Sequence, residues 1–153
     1  MKYVATAMFA LVVFAPIAAA PATAPTTCYL PDEIEADQAM HFQTELMVLS
    51  DTCGGEFYRD FTVRNREQIM SYQHLLLDRF RRTGAKSPQA SLDSFMTRVA
   101  NEHALKDGTQ LRADVCTRAA TLITESLKID RSQFRQRAAA LAAANEAEYK
   151  RCK

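Results

Sequence analysis

Four cysteines, Cys28, Cys53, Cys116 and Cys152, constrain the fold of this chain more than any other feature of its sequence. Successive cysteines are separated by 25, 63 and 36 residues. They therefore form no close Cys-x-x-Cys pair of the kind that binds structural zinc or attaches haem. An even number of widely spaced cysteines is typical of an exported protein with structural disulfides. We expect two disulfides that link distant segments of the chain.

The N-terminus has the pattern of a secretory signal peptide over residues 1–22. Lys2 is followed by an uncharged apolar run of about a dozen residues, which is shorter than the ~20 residues of a transmembrane helix. Small residues at Ala20 and Ala22 indicate cleavage after Ala22. The mature protein is therefore expected to have no transmembrane segment and to be periplasmic or extracellular.

The charge balance limits the classes of partner. The chain has 19 basic and 18 acidic residues, and loss of Lys2 with the signal peptide leaves 18 of each. A neutral balance argues against nucleic acid or an anionic membrane as the main partner, because both favour a basic excess. The expected partner is instead a protein of the cell envelope.

Apolar residues recur at helical spacing along the mature chain, and no strand-length alternation of apolar and polar residues is present. The sequence predicts an all-α fold: a single-domain antiparallel bundle of four to five helices over residues 31–153, behind a short leader over residues 23–30. The predicted helix starts are Pro31, Asn65, Pro88, Thr109 and Asp130. A helical turn is expected over residues 56–61, and the last helix is expected to reach Cys152.

The predicted helices restrict the disulfide pairing. Cys28 and Cys53 flank the first helix, in which about twenty residues rise ~30 Å, whereas disulfide-linked Cα atoms lie roughly 4.4–6.8 Å apart. Two connectivities remain. An up-and-down bundle brings the ends of the first and last helices to one pole, which favours Cys53–Cys152 with Cys28–Cys116. The alternative, Cys53–Cys116 with Cys28–Cys152, requires a shorter last helix or a non-alternating topology.

Three histidines, His41, His74 and His103, lie on three predicted helices and are the candidate metal ligands. Four methionines accompany them in the sequence: Met40, Met47, Met70 and Met96. Imidazole and thioether groups together suit copper, so a periplasmic carrier of copper or of a small ligand is the alternative function. None of the spacings is diagnostic of a metal site, and no cofactor is predicted.

Catalytic motifs are weak or missing in the sequence. Glu125-Ser126 is similar to the Glu-Ser pair of lytic transglycosylases, in which a glutamate is the general acid, but no glycine-rich segment follows it. Glu102 and His103 are adjacent and point about 100° apart on a helix, so they form no dyad. The sequence contains no nucleophile elbow, phosphate loop or dinucleotide fingerprint.

We therefore expect a non-enzymatic module that binds a macromolecule, with no catalytic residue. A metal or small-ligand carrier is the second hypothesis, and a cell-wall hydrolase is the third. The disulfide-linked helical bundle resembles, in outline, small periplasmic immunity and inhibitor proteins. That resemblance implies a partner that is itself an exported protein.

Overall fold

A computed structural model of the chain describes residues 27–152, so the predicted signal peptide over residues 1–22 lies outside the described residues. The helices are α1 Pro31–Cys53, α2 Phe57–Arg64, α3 Arg66–Arg82, α4 Pro88–Gly108, α5 Arg112–Ser126 and α6 Arg131–Ala144, followed by a 3₁₀ turn at Glu146–Glu148. The described part contains no strand, and its β-type pairing is a single bridge between Tyr29 and Arg151. The prediction of an all-α fold is confirmed. None of the helices in residues 27–152 combines the length and the apolar content needed to span a bilayer.

Helix α1 lies at the centre of the fold, and each of the other five helices packs against it. In its N-terminal half, α1 is buried on all sides rather than along one stripe. Of the residues at positions 33–40, Glu35 is the one that is not buried. Because polar residues occur all round α1, its enclosure by the other helices also buries polar side chains, among them Asp37 and Gln38. Gly54 ends the helix with a positive φ of 78°, a conformation that glycine adopts without strain.

An aromatic cluster fills the core between α1, α2, α3 and α6. The fully buried Phe134 ring lies 5.0 Å from that of Phe61, 5.6 Å from that of Tyr72 and 6.1 Å from that of Phe42, measured between centroids. The alanine-rich α6 therefore docks on the core mainly through Phe134, helped by the fully buried Ala138.

The corner between α2 and α3 differs from the prediction. The expected turn over residues 56–61 is a full helix, α2, which accounts for six helices rather than four to five. Asn65 does not cap α3 with its side chain. Its Nδ2 instead donates hydrogen bonds to the carbonyl of Phe61 at 3.0 Å and to that of Ile129 at 3.1 Å. The buried Asn65 thus joins this corner to the α5–α6 connection.

The last helix ends at Ala144 and does not continue to Cys152, so its predicted length was wrong. Beyond the 3₁₀ turn the chain runs beside the start of the described chain. The Tyr29 amide donates to the Lys150 carbonyl at 2.8 Å, and the Cys152 amide donates to the Tyr29 carbonyl at 3.0 Å. The C-terminus therefore returns to the N-terminal end of α1.

This return decides the disulfide pairing. Cys28 is bonded to Cys152, with Cα atoms 4.9 Å apart, and Cys53 is bonded to Cys116, with Cα atoms 5.5 Å apart. The favoured pairing, Cys53–Cys152 with Cys28–Cys116, was wrong, and the alternative is the one present. The physical reason is the shorter last helix, because eight residues beyond Ala144 carry Cys152 to the opposite pole from Cys53.

Candidate functional site

A polar cluster, formed by Asp37, Gln38, Asn145 and Tyr149, lies where the C-terminal segment crosses α1. The Tyr149 hydroxyl donates to Asp37 Oδ1 at 2.7 Å and accepts from Gln38 Nε2 at 2.6 Å. Gln38 Oε1 in turn accepts from Asn145 Nδ2 at 2.7 Å. These side chains satisfy one another, so the cluster holds the C-terminal segment on α1.

Burial governs the protonation of this cluster. Asp37 is 5% exposed, and burial raises the pKa of its carboxyl, while the Tyr149 hydrogen bond and nearby His41 act in the opposite direction. Burial, and then the hydrogen bond to Asp37, raise the pKa of Tyr149. The tyrosine therefore stays protonated and remains a hydrogen-bond donor, as a structural role requires.

A second polar group fixes the start of α1 beside the Cys28–Cys152 disulfide. The Arg82 side chain pairs with the buried Glu33 carboxylate, and its Nη2 donates to the Cys28 carbonyl at 3.0 Å. Glu33 also accepts from the Leu30 amide at 2.8 Å. Like the side chains of the polar cluster, those of Glu33 and Arg82 form these hydrogen bonds with other residues of the same chain.

The structure brings together two of the three histidines singled out from the sequence. The ring centroids of His41, on α1, and His103, on α4, lie 5.9 Å apart. His41 Nε2 lies 3.6 Å from Asp37 Oδ1. His74 is exposed on α3 and does not contribute to this pair. In the described range 27–152, no three His, Cys, Asp or Glu side chains are placed to hold a metal ion together.

His103 continues the face by which α4 packs on α1. Phe95 and Val99 are buried on that face, and His103 follows them at the same four-residue spacing. Burial lowers the pKa of His103, while Glu45 on α1 has the opposite, smaller effect. The imidazole is therefore neutral at pH 7. The four-residue spacing of Phe95 and Val99 in the sequence thus extends one step further, to His103.

A groove opens beside His103 between two helices that both pack on α1. This α4–α5 groove encloses a volume of about 350 Å³. Its lining residues are Glu45 and Leu49 from α1, His103, Lys106 and Asp107 from α4, Gln110 from the connection, and Val115, Arg118, Ala119 and Leu122 from α5. The volume is within the range of ligand-binding clefts. Apolar side chains from α1 and α5 lie between charged groups, so the groove suits an amphipathic occupant.

The residues considered for hydrolysis are not assembled into one site. Glu125 is exposed, whereas the Ser126 side chain is buried and donates to the Ile123 carbonyl at 2.7 Å. Glu102 Oε1 lies 3.9 Å from Arg98 Nε on the exposed side of α4.

No known family model, curated protein or solved structure shows significant similarity to the chain.

Proposed function

We propose that this chain is an exported, non-enzymatic binding module that holds a segment of a partner protein in the α4–α5 groove. The observation that carries the proposal is the groove together with two leucines beside the α4–α5 connection. Leu105 is 75% exposed and Leu111 is 74% exposed. In the sequence they adjoin Lys106 and Gln110, which line the groove, and Leu105 itself lines a second, shallower depression along α4. Exposed apolar side chains that lie together on a surface mark a candidate protein interface.

The charges of the groove indicate the chemistry of the partner segment. Arg118 Nη2 lies 3.8 Å from Asp107 Oδ1, so the aspartate partly neutralises the charge of the arginine. Lys106, by contrast, has no ion-pair partner within residues 27–152. A partner segment that presents an apolar side chain to the floor and a carboxylate to Lys106 complements the groove. Such a charged contact contributes mainly to specificity and to the rate of association.

The rest of the molecule supports a rigid scaffold rather than an enzyme. The buried Asp37 and Gln38 are hydrogen-bonded to the half-buried Tyr149, and the buried Glu33 is paired with Arg82. Hydrogen bonds of this kind hold segments of the backbone in place. Two disulfides are typical of an oxidising compartment. Together with the signal peptide expected over residues 1–22, they favour the periplasm as the place of action.

Affinity capture with matched variants tests this proposal. The mature protein, the double variant Leu105→Asp/Leu111→Asp and the control Val63→Asp are immobilised and exposed to envelope extract from the source organism. Val63 is 73% exposed on α2, away from the groove, and so controls for the loss of an exposed apolar side chain. We expect a protein that is retained by the wild type and by the control and lost with the double variant. An unchanged set of retained proteins for all three chains contradicts the proposal.

Purified partner and chain then allow the contact to be measured directly. Lys106→Glu is expected to weaken binding through slower association, and the effect should diminish as salt is raised. Lys128→Glu is the matched control, because Lys128 is an exposed lysine outside the groove.

A further inference from the structure

We propose that the Cys28–Cys152 disulfide is a site of thiol–disulfide exchange, at which a protein that carries a dithiol reduces the bond. The observation that carries the proposal is a contact between this bond and a cation. Arg82 Nη1 donates to Cys152 Sγ at 3.7 Å. A guanidinium beside a sulfur favours the thiolate, which is the form in which a sulfur leaves when a disulfide is cleaved.

The guanidinium is held in this position by its other contacts. Arg82 Nη2 donates to the Cys28 carbonyl at 3.0 Å, and the side chain pairs with the buried Glu33 carboxylate. The Arg82 side chain is 29% exposed, so solvent and salt screen its charge only in part. The Glu33 carboxylate offsets some of that charge. Arg82 and Glu33 therefore have opposite effects on a thiolate at Cys152.

The two disulfides differ in their surroundings, although all four cysteines are half-buried. Cys53 ends α1 and packs against the apolar core, and Cys116 lies within α5. No side chain among residues 27–152 donates a hydrogen bond to either of these sulfurs. Cys28 and Cys152 instead lie in the two end segments, which are joined by two backbone hydrogen bonds. Chain ends open locally more easily than helices that pack on a core, so the Cys28–Cys152 bond is the more accessible to a thiolate.

The exchange proceeds in two displacements. A thiolate of the dithiol attacks Cys28 Sγ, the bond between the two protein sulfurs breaks, and Cys152 leaves as a thiolate beside Arg82. The second sulfur of the dithiol, also as a thiolate, then attacks the mixed disulfide and releases Cys28. Two electrons pass to the protein, and the two protons lost by the dithiol are taken up by the two protein sulfurs. The products are two cysteine thiols and the disulfide of the reductant.

The polar cluster retains the C-terminal segment after reduction. The Tyr149 hydroxyl remains bonded to Asp37, and the Asn145 amide remains bonded to Gln38. Reduction thus removes the covalent link between the end segments but leaves the C-terminal segment docked on α1, from which the bond can form again. The exchange does not depend on the α4–α5 groove, and neither proposal requires the other.

The position of the mixed disulfide tests the direction of attack. The mature protein is treated with reduced glutathione, a monothiol, and free thiols are alkylated before cleavage after glutamate. Mass spectrometry should find glutathione on Cys28 and the alkyl group on Cys152, in about tenfold excess over the reverse pattern. Arg82→Gln should abolish the preference, because it removes the cation beside the leaving sulfur. Equal labelling of the two cysteines in the wild type overturns the proposal, and so does an unchanged preference in Arg82→Gln.

Reduction by dithiothreitol, a small dithiol, compares the two disulfides within one chain. Samples are taken during the reaction, alkylated and mapped in the same way. The Cys28–Cys152 bond should be reduced at least ~10-fold faster than the Cys53–Cys116 bond, because its leaving sulfur lies beside a cation and its cysteines lie in the end segments. Equal rates for the two bonds contradict the proposal.

Two variants separate the charge of Arg82 from its structural contacts. Arg82→Gln and Glu33→Gln both break the same ion pair, but only the first removes the cation. Arg82→Gln should therefore be reduced at Cys28–Cys152 about tenfold more slowly than Glu33→Gln. Arg81→Gln is the matched control and should match the wild type, because Arg81 is an exposed neighbour that pairs with Asp78. Equal rates for Arg82→Gln and Glu33→Gln mean that the cation has no effect on the exchange, and the proposal then fails.

Discussion

The Tyr149 hydroxyl, in the last five residues of the chain, donates a 2.7 Å hydrogen bond to the buried carboxylate of Asp37 on the central helix. The two residues are 112 positions apart in the sequence. This bond, with those of Gln38 and Asn145, holds the C-terminal segment against α1 and sets Cys152 beside Cys28. The closure of the chain therefore depends on a polar contact as well as on a disulfide.

Removal of the Tyr149 hydroxyl should be costly, since it leaves the buried Asp37 oxygen without this donor. We expect Tyr149→Phe to lower the free energy of unfolding by about 1–3 kcal/mol, measured by urea denaturation. Tyr58→Phe is the matched control, because the Tyr58 hydroxyl accepts one longer bond, 3.3 Å, from Gln43. It should cost less than ~1 kcal/mol. Equal losses for the two variants contradict a special role for Tyr149.

The same hydroxyl should be coupled to one disulfide and not to the other. Each disulfide closes a long loop, and its removal as an alanine pair should cost roughly 2–5 kcal/mol. Without Cys28–Cys152 the C-terminal segment loses its covalent attachment, so Tyr149→Phe should cost less in that background. In the variant that lacks Cys53–Cys116, the cost of Tyr149→Phe should be unchanged, because the effects of distant substitutions on the free energy of unfolding are additive. A double-mutant cycle by urea denaturation measures the coupling energy between Tyr149→Phe and the removal of each disulfide. Equal coupling energies for the two disulfides contradict the expectation.

The disulfide connectivity itself is open to direct mapping. Trypsin is unsuitable, because no lysine or arginine lies between Cys28 and Cys53. Cleavage after glutamate separates all four cysteines, since Glu33, Glu102 and Glu125 each lie between two successive cysteines. Non-reducing mass spectrometry should then detect Cys28 linked to Cys152 and Cys53 linked to Cys116. A peptide that links Cys53 to Cys152 is the contrary result.

The lowered pKa of His103 predicts a pH dependence of stability. The unfolded chain binds more protons than the folded chain between the folded-state pKa and the unfolded value of ~6.5, so stability rises with pH across this window and is lost as the pH falls. The free energy of unfolding of the wild type should therefore decrease relative to that of His103→Gln below about pH 6.5. Urea denaturation from pH 5 to 8 measures the difference, with His74→Gln in parallel. A constant difference, or one of opposite sign, contradicts the prediction.

Much of the fold was predictable because it depends on neighbouring residues. Proline in the first turn of α1 and of α4, glycine after α1, and the Asp130–Gln133 capping box are all contacts within a few residues. Apolar residues at helical spacing, such as Phe95, Val99 and Phe134, are likewise buried as that spacing predicts. The helix α2 was underestimated, because eight residues between two breaks carry little periodic signal.

The candidate site was only partly predictable. His41, His74 and His103 looked equivalent in the sequence, and only the packing of α4 on α1 separates the pair from the exposed His74. The α4–α5 groove depends on the distance between α4 and α5, which both pack on α1. No local sequence pattern encodes that distance.

The sequence by itself determined the helical class and the number of cysteines available for two cross-links. Those properties follow from local propensity and from residue identity. Only the tertiary structure decided that Cys152 meets Cys28 and that His41 meets His103. The reason is that the partners are far apart along the chain. Cys152 meets Cys28 because the C-terminal segment docks on α1 through Tyr149 and Asp37, and His41 meets His103 because α4 packs on α1.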